Sequence, residues 1–242
     1  MGSEDPRRVQ QAHRQQPRKY RLPVPTRASD SGALPTLAAI DLGCQRGNRV
    51  LFRNLNLELH AGRATWLRGR NGRGKTSLLR LVAGLAVPES GQVLWDRTPV
   101  RRSTSFQREL VYIGHSNALK DDLSVTEALQ FLARMHDRPS DTASLHTALE
   151  RVGIANRRDA FVRTLSQGQR RRVALARLAL ECRAALWVLD EPYDALDTDG
   201  IARINNVLRE HLRRGGSAML TSHQHPGADA PPLTEFDLDS LA

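Results

Sequence analysis

The chain has few lysines, few aromatic residues and no long apolar run. Three lysines occur among 36 basic residues, and aromatic side chains make up 5% of the 242 residues. The longest apolar stretches, such as 184–189, are a few residues long, whereas a membrane-spanning helix needs about 20 residues. No apolar run follows the basic N-terminus, as a secretory signal would require. We therefore expect a cytoplasmic protein without membrane-spanning helices.

The cysteine spacing argues against a metal site, and the kind of basic residue argues against a nucleic-acid-binding protein. The two cysteines, Cys44 and Cys182, lie far apart and fit no metal-ligand spacing, so we expect reduced thiols. The net charge of +10 suggests nucleic acid as a partner. No nucleic-acid-binding motif accompanies the charge, and nearly all of the basic residues are arginine. We therefore expect no nucleic-acid partner, and note that a basic face also suits the anionic cytoplasmic leaflet.

The chain divides into a polar tail and one α/β domain. Residues 1–35 are rich in Arg, Gln and Pro without apolar periodicity, which predicts a disordered basic tail. From Leu37 onward, short apolar runs alternate with helical stretches, which predicts a βαβ-type domain over 36–242. A helical stretch from about 124 to 163 predicts an inserted helical subdomain at about 115–183. The predicted strands are 38–42, 55–59, 64–67, 92–95, 110–113, 186–190 and, as the last strand, 218–221; the main predicted helices are 75–85, 166–181 and 201–212.

A glycine-rich segment between a predicted strand and a predicted helix carries the strongest chemical signal. Residues 69–76 (GRNGRGKT) match the phosphate-loop pattern G-x-x-x-x-G-K-[ST]. Its glycines allow backbone N–H groups to turn inward around phosphate oxygens, and the following helix N-terminus favours anions. Lys75 can reach the β- and γ-phosphates, and the Thr76 hydroxyl can bind Mg²⁺. We predict ATP and Mg²⁺ as ligands, with nucleotide contacts from Gly69, Arg70, Asn71, Gly72, Arg73, Gly74, Lys75, Thr76 and Ser77.

Two adjacent acids follow a buried strand. The run 186–190 is mostly apolar and delivers Asp190 and Glu191 at its C-terminal end, where open α/β sheets bind ligands. We expect Asp190 to hold Mg²⁺ together with Thr76, and Glu191 to polarise the attacking water. Lys75 and Glu191 are therefore predicted to be catalytic.

The segment 165–169 (LSQGQ) resembles the signature sequence of the ABC (ATP-binding cassette) family, and the three motifs follow in the family's order. The resemblance implies a P-loop NTPase cassette of the α/β class, with a RecA-like core, an antiparallel β subdomain and an inserted α-helical subdomain. It also implies a homodimer in which Ser166, Gly168 and Gln169 of one chain cover the γ-phosphate bound by the other. Independently of the family, Ser166 is predicted to be the N-cap of its helix, where it would form an anion site with the first N–H groups.

Further positions resemble functional positions of the family or depart from them. Asp197 lies in a segment that resembles the loop crossing the dimer interface, and His223 resembles the histidine that hydrogen-bonds the γ-phosphate, which makes it the third predicted catalytic residue. Arg46 stands where most cassettes stack a tyrosine on adenine. A guanidinium plane can also stack on a base, although a solvated loop arginine is an equal alternative. His115 stands where most cassettes have a glutamine that touches the Mg²⁺–water network. His60, His136 and His211 are interpreted as surface residues.

The segments 112–124 (YIGHSNALKDDLS) and 165–178 (LSQGQRRRVALARL) resemble one subfamily, the ATP-binding subunits of the haem exporter of cytochrome c maturation. That resemblance implies integral membrane transporter subunits as partners and a place on the cytoplasmic face of the bacterial inner membrane. It implies a role in releasing haem from its chaperone, and no residue is predicted to ligate haem. The alternatives are another cargo (lipid, lipoprotein, peptide or small solute) and a soluble ATPase acting on ribosomes or DNA. Soluble ATPases of that kind usually have two cassettes or a coiled-coil insertion, and this sequence has neither.

Overall fold

The computed structural model describes residues 36–183 and 185–241, so the predicted tail 1–35 lies outside the described residues. Strands and helices are mixed along the chain. In order they are β1 (Leu37–Arg46), β2 (Arg49–Leu59), β3 (Ala64–Arg68), α1 (Lys75–Val82), β4 (Ser90–Trp95), β5 (Thr98–Pro99), α2 (Thr104–Glu109), β6 (Leu110–Ile113), α3 (Val125–Met135), α4 (Thr142–Arg151), α5 (Gln167–Ala179), β7 (Leu186–Leu189), α6 (Thr198–Arg213), β8 (Ser217–Thr221) and β9 (Leu233–Asp237). Short 3₁₀ turns occur at Val100–Arg102, Ala155–Arg157, Val162–Thr164 and Leu238–Leu241.

The strands form two sheets of different kinds. One is antiparallel, with the order β2-β1-β4-β5, and the other is parallel, with the order β6-β7-β8-β3-β9. In the parallel sheet Leu67 pairs with Thr221, and Leu189 pairs with both Ile113 and Leu220. The carboxyl ends of β3, β6, β7 and β8 therefore meet at one edge, which is where such sheets place their functional loops.

The central strands are buried on both faces. Every residue of β7 and β8 is buried, which is typical of parallel strands covered by other layers on either side. Trp187 and Leu189 pack in a cluster with the helices α3 to α6, whereas Leu186 and Val188 pack in a second cluster with α1 and the antiparallel sheet. The alternation of side chains along β7 therefore ties the two clusters together.

Three helices form a helical unit between β6 and β7. The helix α3 begins after Ser124, whose hydroxyl and the Glu127 carboxylate form a reciprocal capping box, and α5 begins with the same arrangement of Ser166 and Gln169. The predicted helical stretch 124–163 resolves into α3, α4 and two 3₁₀ turns. The predicted N-cap at Ser166 is confirmed.

Several predicted boundaries were wrong. The helix α1 ends at Val82, followed by Gly84 in the left-handed region at φ 70°, and α6 begins at Thr198 behind the N-cap Asp197. The predicted last strand at 218–221 is followed by another, β9, which pairs parallel to β3 at the sheet edge. Its sequence (LTEFD) is half-exposed and acidic, as an edge strand can be, and its apolar signal is correspondingly weak.

His211 is the prediction that the structure most clearly contradicts. It was expected on the surface, but it is fully buried, and its ring stacks on Trp187 with 3.7 Å between ring centroids. The ring lies against Gly216, where a Cβ atom would come within 2.1 Å of it. A histidine on the inner face of an amphipathic helix is thus part of the core.

None of the helices in the described part of the chain is long and apolar enough to cross a membrane.

Candidate active site

The loop between β3 and α1 has the backbone of an anion cradle. Gly69, Gly72 and Gly74 have φ angles of +137°, +74° and +110°, a region that residues with a Cβ rarely adopt. The Lys75 ammonium donates hydrogen bonds to the carbonyl oxygens of Gly69 at 2.7 Å and of Arg70 at 3.4 Å. The loop is thus folded around this ammonium group at the N-terminus of α1.

A chain of hydrogen bonds joins that loop to the ends of β7 and β8. The Thr76 hydroxyl donates to Oδ2 of Asp190 at 3.0 Å, and the Thr221 hydroxyl donates to Oδ1 at 2.9 Å. The Glu191 N–H in turn donates to the Thr221 hydroxyl oxygen at 2.9 Å. Asp190 is only 3% exposed, so both of its oxygens are held in place. Thr221 was not predicted, although its position at the end of a parallel strand is the same signal that identified Asp190.

Glu191 and His223 form a second pair at the same edge. The His223 backbone N–H donates to Oε2 of Glu191 at 2.8 Å, and its Nε2 lies 3.5 Å from Oε1. Glu191 has a φ of +52°, a conformation that costs a non-glycine residue about 1 kcal/mol or more unless its surroundings enforce it. The backbone of both residues, rather than side-chain packing alone, therefore aims the Glu191 carboxylate.

A buried guanidinium lies beneath the two acids. Arg171 of α5 donates to the carbonyl oxygens of Asp190 at 2.7 Å and Glu191 at 2.9 Å, and also to Gly114 at 2.9 Å. Burial lowers the pKa of Arg171, and the neighbouring carboxylates of Asp194, Asp190 and Glu191 act in the opposite direction. This side chain connects α5 to the ends of β6 and β7. Arg171 was not predicted, because nothing in the sequence distinguishes it from the two arginines beside it.

These groups surround a cleft of about 510 Å³, a size typical of small-molecule sites. Of the predicted residues, the two acids, His223, Arg46, His115 and most of the loop contribute to the lining, whereas Gly69, Arg70 and Arg73 do not. The lining residues that were not predicted are Arg49, Leu51, Asp194, Ser222 and Gln224. The full lining is Arg46, Arg49, Leu51, Asn71, Gly72, Gly74, Lys75, Thr76, Ser77, His115, Asp190, Glu191, Asp194, Ser222, His223 and Gln224. Arg46, Arg49 and Lys75 give one side of the cleft a positive charge that suits an anion.

Two predicted loop residues bind elsewhere. The Arg73 guanidinium donates to the carbonyl oxygens of Leu51 at 3.1 Å and Leu238 at 3.2 Å. The Arg70 amide donates to Asp239 at 2.9 Å. Neither Arg70 nor Arg73 lines the cleft, so the Arg70 backbone and the Arg73 side chain secure the outside of the loop.

The residues Ser166, Gly168, Gln169 and Asp197 do not line the cleft of their own chain. Ser166 and Gln169 cap α5, and a Cβ atom at Gly168 would lie 2.3 Å from the carbonyl oxygen of Ala195. Asp197 caps α6 by accepting from the Gly200 N–H at 2.8 Å, which lowers the pKa of its carboxyl, as does the paired Arg172. The two turns therefore form one surface, separate from the cleft.

Known proteins with similar sequences are ATP-binding cassettes. The family model described as ABC transporter matches residues 52–194. The cytochrome c biogenesis ATP-binding export protein CcmA of Albidiferax ferrireducens is 45% identical over 206 residues, covering 85% of this chain and 98% of the relative. The protein of the same name from Vibrio cholerae is 41% identical over 194 residues, covering 80% and 93%.

Solved structures show the same fold. An ABC transporter ATP-binding protein from Pyrococcus furiosus superposes with a TM-score of 0.71 at 22% identity, covering 85% of this chain and 98% of that chain. The protein cbiO1 from Clostridium perfringens, part of the ABC transporter complex cbiONQ, gives 0.62 at 26% identity, covering 78% and 79%. The chain therefore belongs to the ABC transporter family and, within it, to the cytochrome c biogenesis ATP-binding export proteins.

Proposed function

We propose that this chain is an ATP-hydrolysing subunit that works as a homodimer and drives integral membrane partners exporting or releasing haem for cytochrome c biogenesis. One observation carries the ATPase assignment. The phosphate loop, the Thr76–Asp190 hydrogen bond and the Glu191–His223 pair all converge on one cleft. They come from the carboxyl ends of three strands, β3, β7 and β8, so their meeting is a property of the fold.

The loop supplies the triphosphate site. Backbone N–H groups between Gly72 and Thr76 and the N-terminus of α1 would surround the phosphates. Lys75, which now donates to two loop carbonyl oxygens, would exchange those partners for β- and γ-phosphate oxygens. Arg46 and Arg49 line the same cleft, and the Arg49 guanidinium lies beside Gly72 of the loop, so either guanidinium can lie against the base or the phosphates.

The residues at the loop's end suit Mg²⁺. Thr76 and Asp190 present a hydroxyl and a carboxylate within 3.0 Å of each other, and these are the hard oxygen donors that Mg²⁺ prefers. The ion, when bound with ATP, would neutralise charge on the phosphates. The Thr221 hydroxyl, by holding the other oxygen of Asp190, keeps that carboxylate turned toward Thr76.

Glu191 is the residue that we assign to the attacking water. Its carboxylate lies in the cleft next to His223, and the His223 amide holds one of its oxygens. The other oxygen can accept a proton or a hydrogen bond from water on the γ-phosphate side. The His223 ring is 60% exposed, so it is free to turn toward the γ-phosphate.

A single chain offers only half of the proposed site. Ser166, Gly168 and Gln169 lie outside their own cleft, at the N-terminus of a 13-residue helix whose first amides can receive an anion. A second chain packed head to tail would bring this surface and Asp197 over the bound γ-phosphate. His115, exposed at the end of β6 and lining the cleft, is placed to respond to the nucleotide and to a membrane partner together.

We assign the pathway from the proteins that have similar sequences. Cytochrome c biogenesis and export are in the names of proteins that this chain matches over nearly their whole length. We assign the same process to this chain, with haem as the cargo and the cytoplasmic face of the inner membrane as its place of action. No residue is proposed to ligate haem.

Deleting the gene in its own host and staining membranes for covalently bound haem tests this assignment. We expect covalent haem to disappear, wild type to restore it, and Glu191→Gln to fail. If covalent haem is unchanged after deletion, the haem assignment is wrong and another cargo, such as a lipid or small solute, takes its place. If Glu191→Gln rescues fully, ATP turnover is not the contribution of this chain.

A further inference from the structure

The end of the chain packs against the phosphate loop. Phe236 and Asp237 of β9 pair with Leu67 and Arg68 of β3, the strand that leads directly into the loop. The 3₁₀ turn Leu238–Leu241 then lies beside the first loop residues. Leu238 is fully buried, and its Cβ would lie only 3.2 Å from a Cβ placed at Gly69. The turn and the loop are thus in direct contact.

Asp239 makes the polar part of this contact. Its Oδ2 accepts from the Arg70 backbone N–H at 2.9 Å and lies 3.5 Å from Arg70 Nε, while its Oδ1 lies 3.4 Å from Arg73 Nε. The Asp239 N–H donates to Oδ1 of Asp237 at 2.9 Å, which orients the turn. The Arg70 N–H lowers the pKa of the Asp239 carboxyl, as do the two arginine charges, so the group is ionised at neutral pH.

The peptide group between Gly69 and Arg70 connects Asp239 to Lys75. In a planar trans peptide the C=O and the N–H point in opposite directions. Here the N–H of Arg70 points to Asp239, and the C=O of Gly69 accepts from the Lys75 ammonium at 2.7 Å. The carboxylate therefore fixes the plane of the peptide that in turn positions the ammonium. Without it this peptide, which follows a glycine at φ +137°, would lose one of the two hydrogen bonds that hold its plane.

We propose that Asp239 is a positioning residue that holds the phosphate loop and Lys75 in the shape that receives nucleotide, so that the C-terminal turn sets the affinity for ATP. The inference rests on the proposed function, because it requires that this loop binds ATP. A preordered loop loses less conformational entropy on binding than a loop that must be ordered by its ligand. Removing Asp239 should thus weaken binding, whereas bound nucleotide restores the order of the loop and of Lys75.

The test compares Asp239→Ala with Glu235→Ala. Glu235 is a matched control, since it is an acid of the same C-terminal segment whose partner, Arg68 at 2.8 Å, lies on the surface outside the loop. Binding of the non-hydrolysable analogue adenylyl imidodiphosphate with Mg²⁺ is measured by calorimetry, and ATPase activity is measured in parallel. We expect Asp239→Ala to raise Kd about three- to tenfold, the effect of one lost hydrogen bond, with kcat at saturating ATP little changed. Glu235→Ala should leave both unchanged.

Hydrogen exchange gives a second measurement that a merely structural role would not change. In Asp239→Ala the amides of residues 69–74 should exchange faster in the absence of nucleotide and regain protection when it is bound. If Asp239→Ala does not fold, Asp239→Ser, whose side chain is too short to bridge Arg70 and Arg73, serves the same comparison.

An unchanged Kd in Asp239→Ala overturns the proposal, as does an equal loss in Glu235→Ala or a lowered melting temperature without any change in Kd. A wild-type chain that binds no nucleotide contradicts the proposed function instead, so the two failures are distinguishable.

Discussion

At the scale of single residues, the cleft depends on how backbone groups aim side chains. Glu191 is held by the amide of His223 and by its own left-handed backbone, and Asp190 is held by two threonine hydroxyls. These contacts involve residues far apart in sequence. Substitutions that keep shape but change one polar atom are therefore the most informative.

Replacing Glu191 by glutamine keeps the size of the side chain and removes its ability to accept a proton. We expect Glu191→Gln to bind ATP and to hydrolyse it at least about a hundredfold more slowly, the scale of a lost general base. The ATP-bound variant should accumulate as a dimer on gel filtration. A variant that stays monomeric and active would show that Glu191 is not the residue that activates water.

Replacing Thr221 by valine tests the connection between the two acids. The change removes a hydroxyl that donates to Asp190 and accepts from the Glu191 N–H, which leaves buried polar groups unsatisfied at a cost of about 1–3 kcal/mol. We expect Thr221→Val to lower kcat about tenfold or more, whereas Thr221→Ser, which keeps the hydroxyl, should retain activity. Wild-type activity of Thr221→Val would show that the hydrogen bonds of the hydroxyl do not contribute to turnover.

At the scale of elements, the fold places polar groups where strands and helices end. Asp190 follows β7, Thr221 ends β8, and Ser166 and Asp197 are the N-caps of α5 and α6. Apolar runs followed by an acid or a capping residue were recognisable in the sequence. The edge strand β9 was not recognisable, because three of its five residues are exposed and its pairing with β3 involves backbone groups that any residue could supply.

The helix α6 buries His211 against Trp187 of β7, and this makes stability depend on pH. Burial lowers the pKa of His211 from 6.5 to about 4. Between those values the unfolded chain binds a proton that the folded chain does not, so the free energy of unfolding falls as pH is lowered and levels off below about 4. The full effect of such a shift is about 3 kcal/mol.

We expect His211 to make the free energy of unfolding in urea about 2 kcal/mol lower at pH 5 than at pH 7.5. His211→Phe should reduce that difference, although the variant also loses the contact of Nε2 with the Ser217 carbonyl oxygen at 3.2 Å. The control is His146→Phe, since the His146 side chain is 40% exposed. If His211→Phe and His146→Phe show the same pH dependence as wild type, His211 is not the responsible group.

At the scale of the whole molecule, the cleft and the surface formed by Ser166 and Asp197 lie apart on the same chain. If the complete site forms between two chains, ATPase activity per chain should rise with protein concentration and level off as dimerisation saturates. Steady-state ATPase assays over a wide range of concentrations measure this directly. Constant specific activity down to concentrations at which gel filtration shows only monomer would contradict the two-chain site.

Local sequence determined the parts of the molecule that depend on neighbouring residues. The glycine spacing of 69–76, the buried run before Asp190 and the capping residue Ser166 each specify a local structure, because φ angles, apolar burial and caps are set within a few positions. Only the tertiary structure decided which side chains meet. Thr221 bridges two acids, Arg171 supports them from below, His211 enters the core and Asp239 reaches the phosphate loop from the far end of the chain. These contacts depend on the order in which strands pair and helices pack, and no local pattern of residues encodes that order.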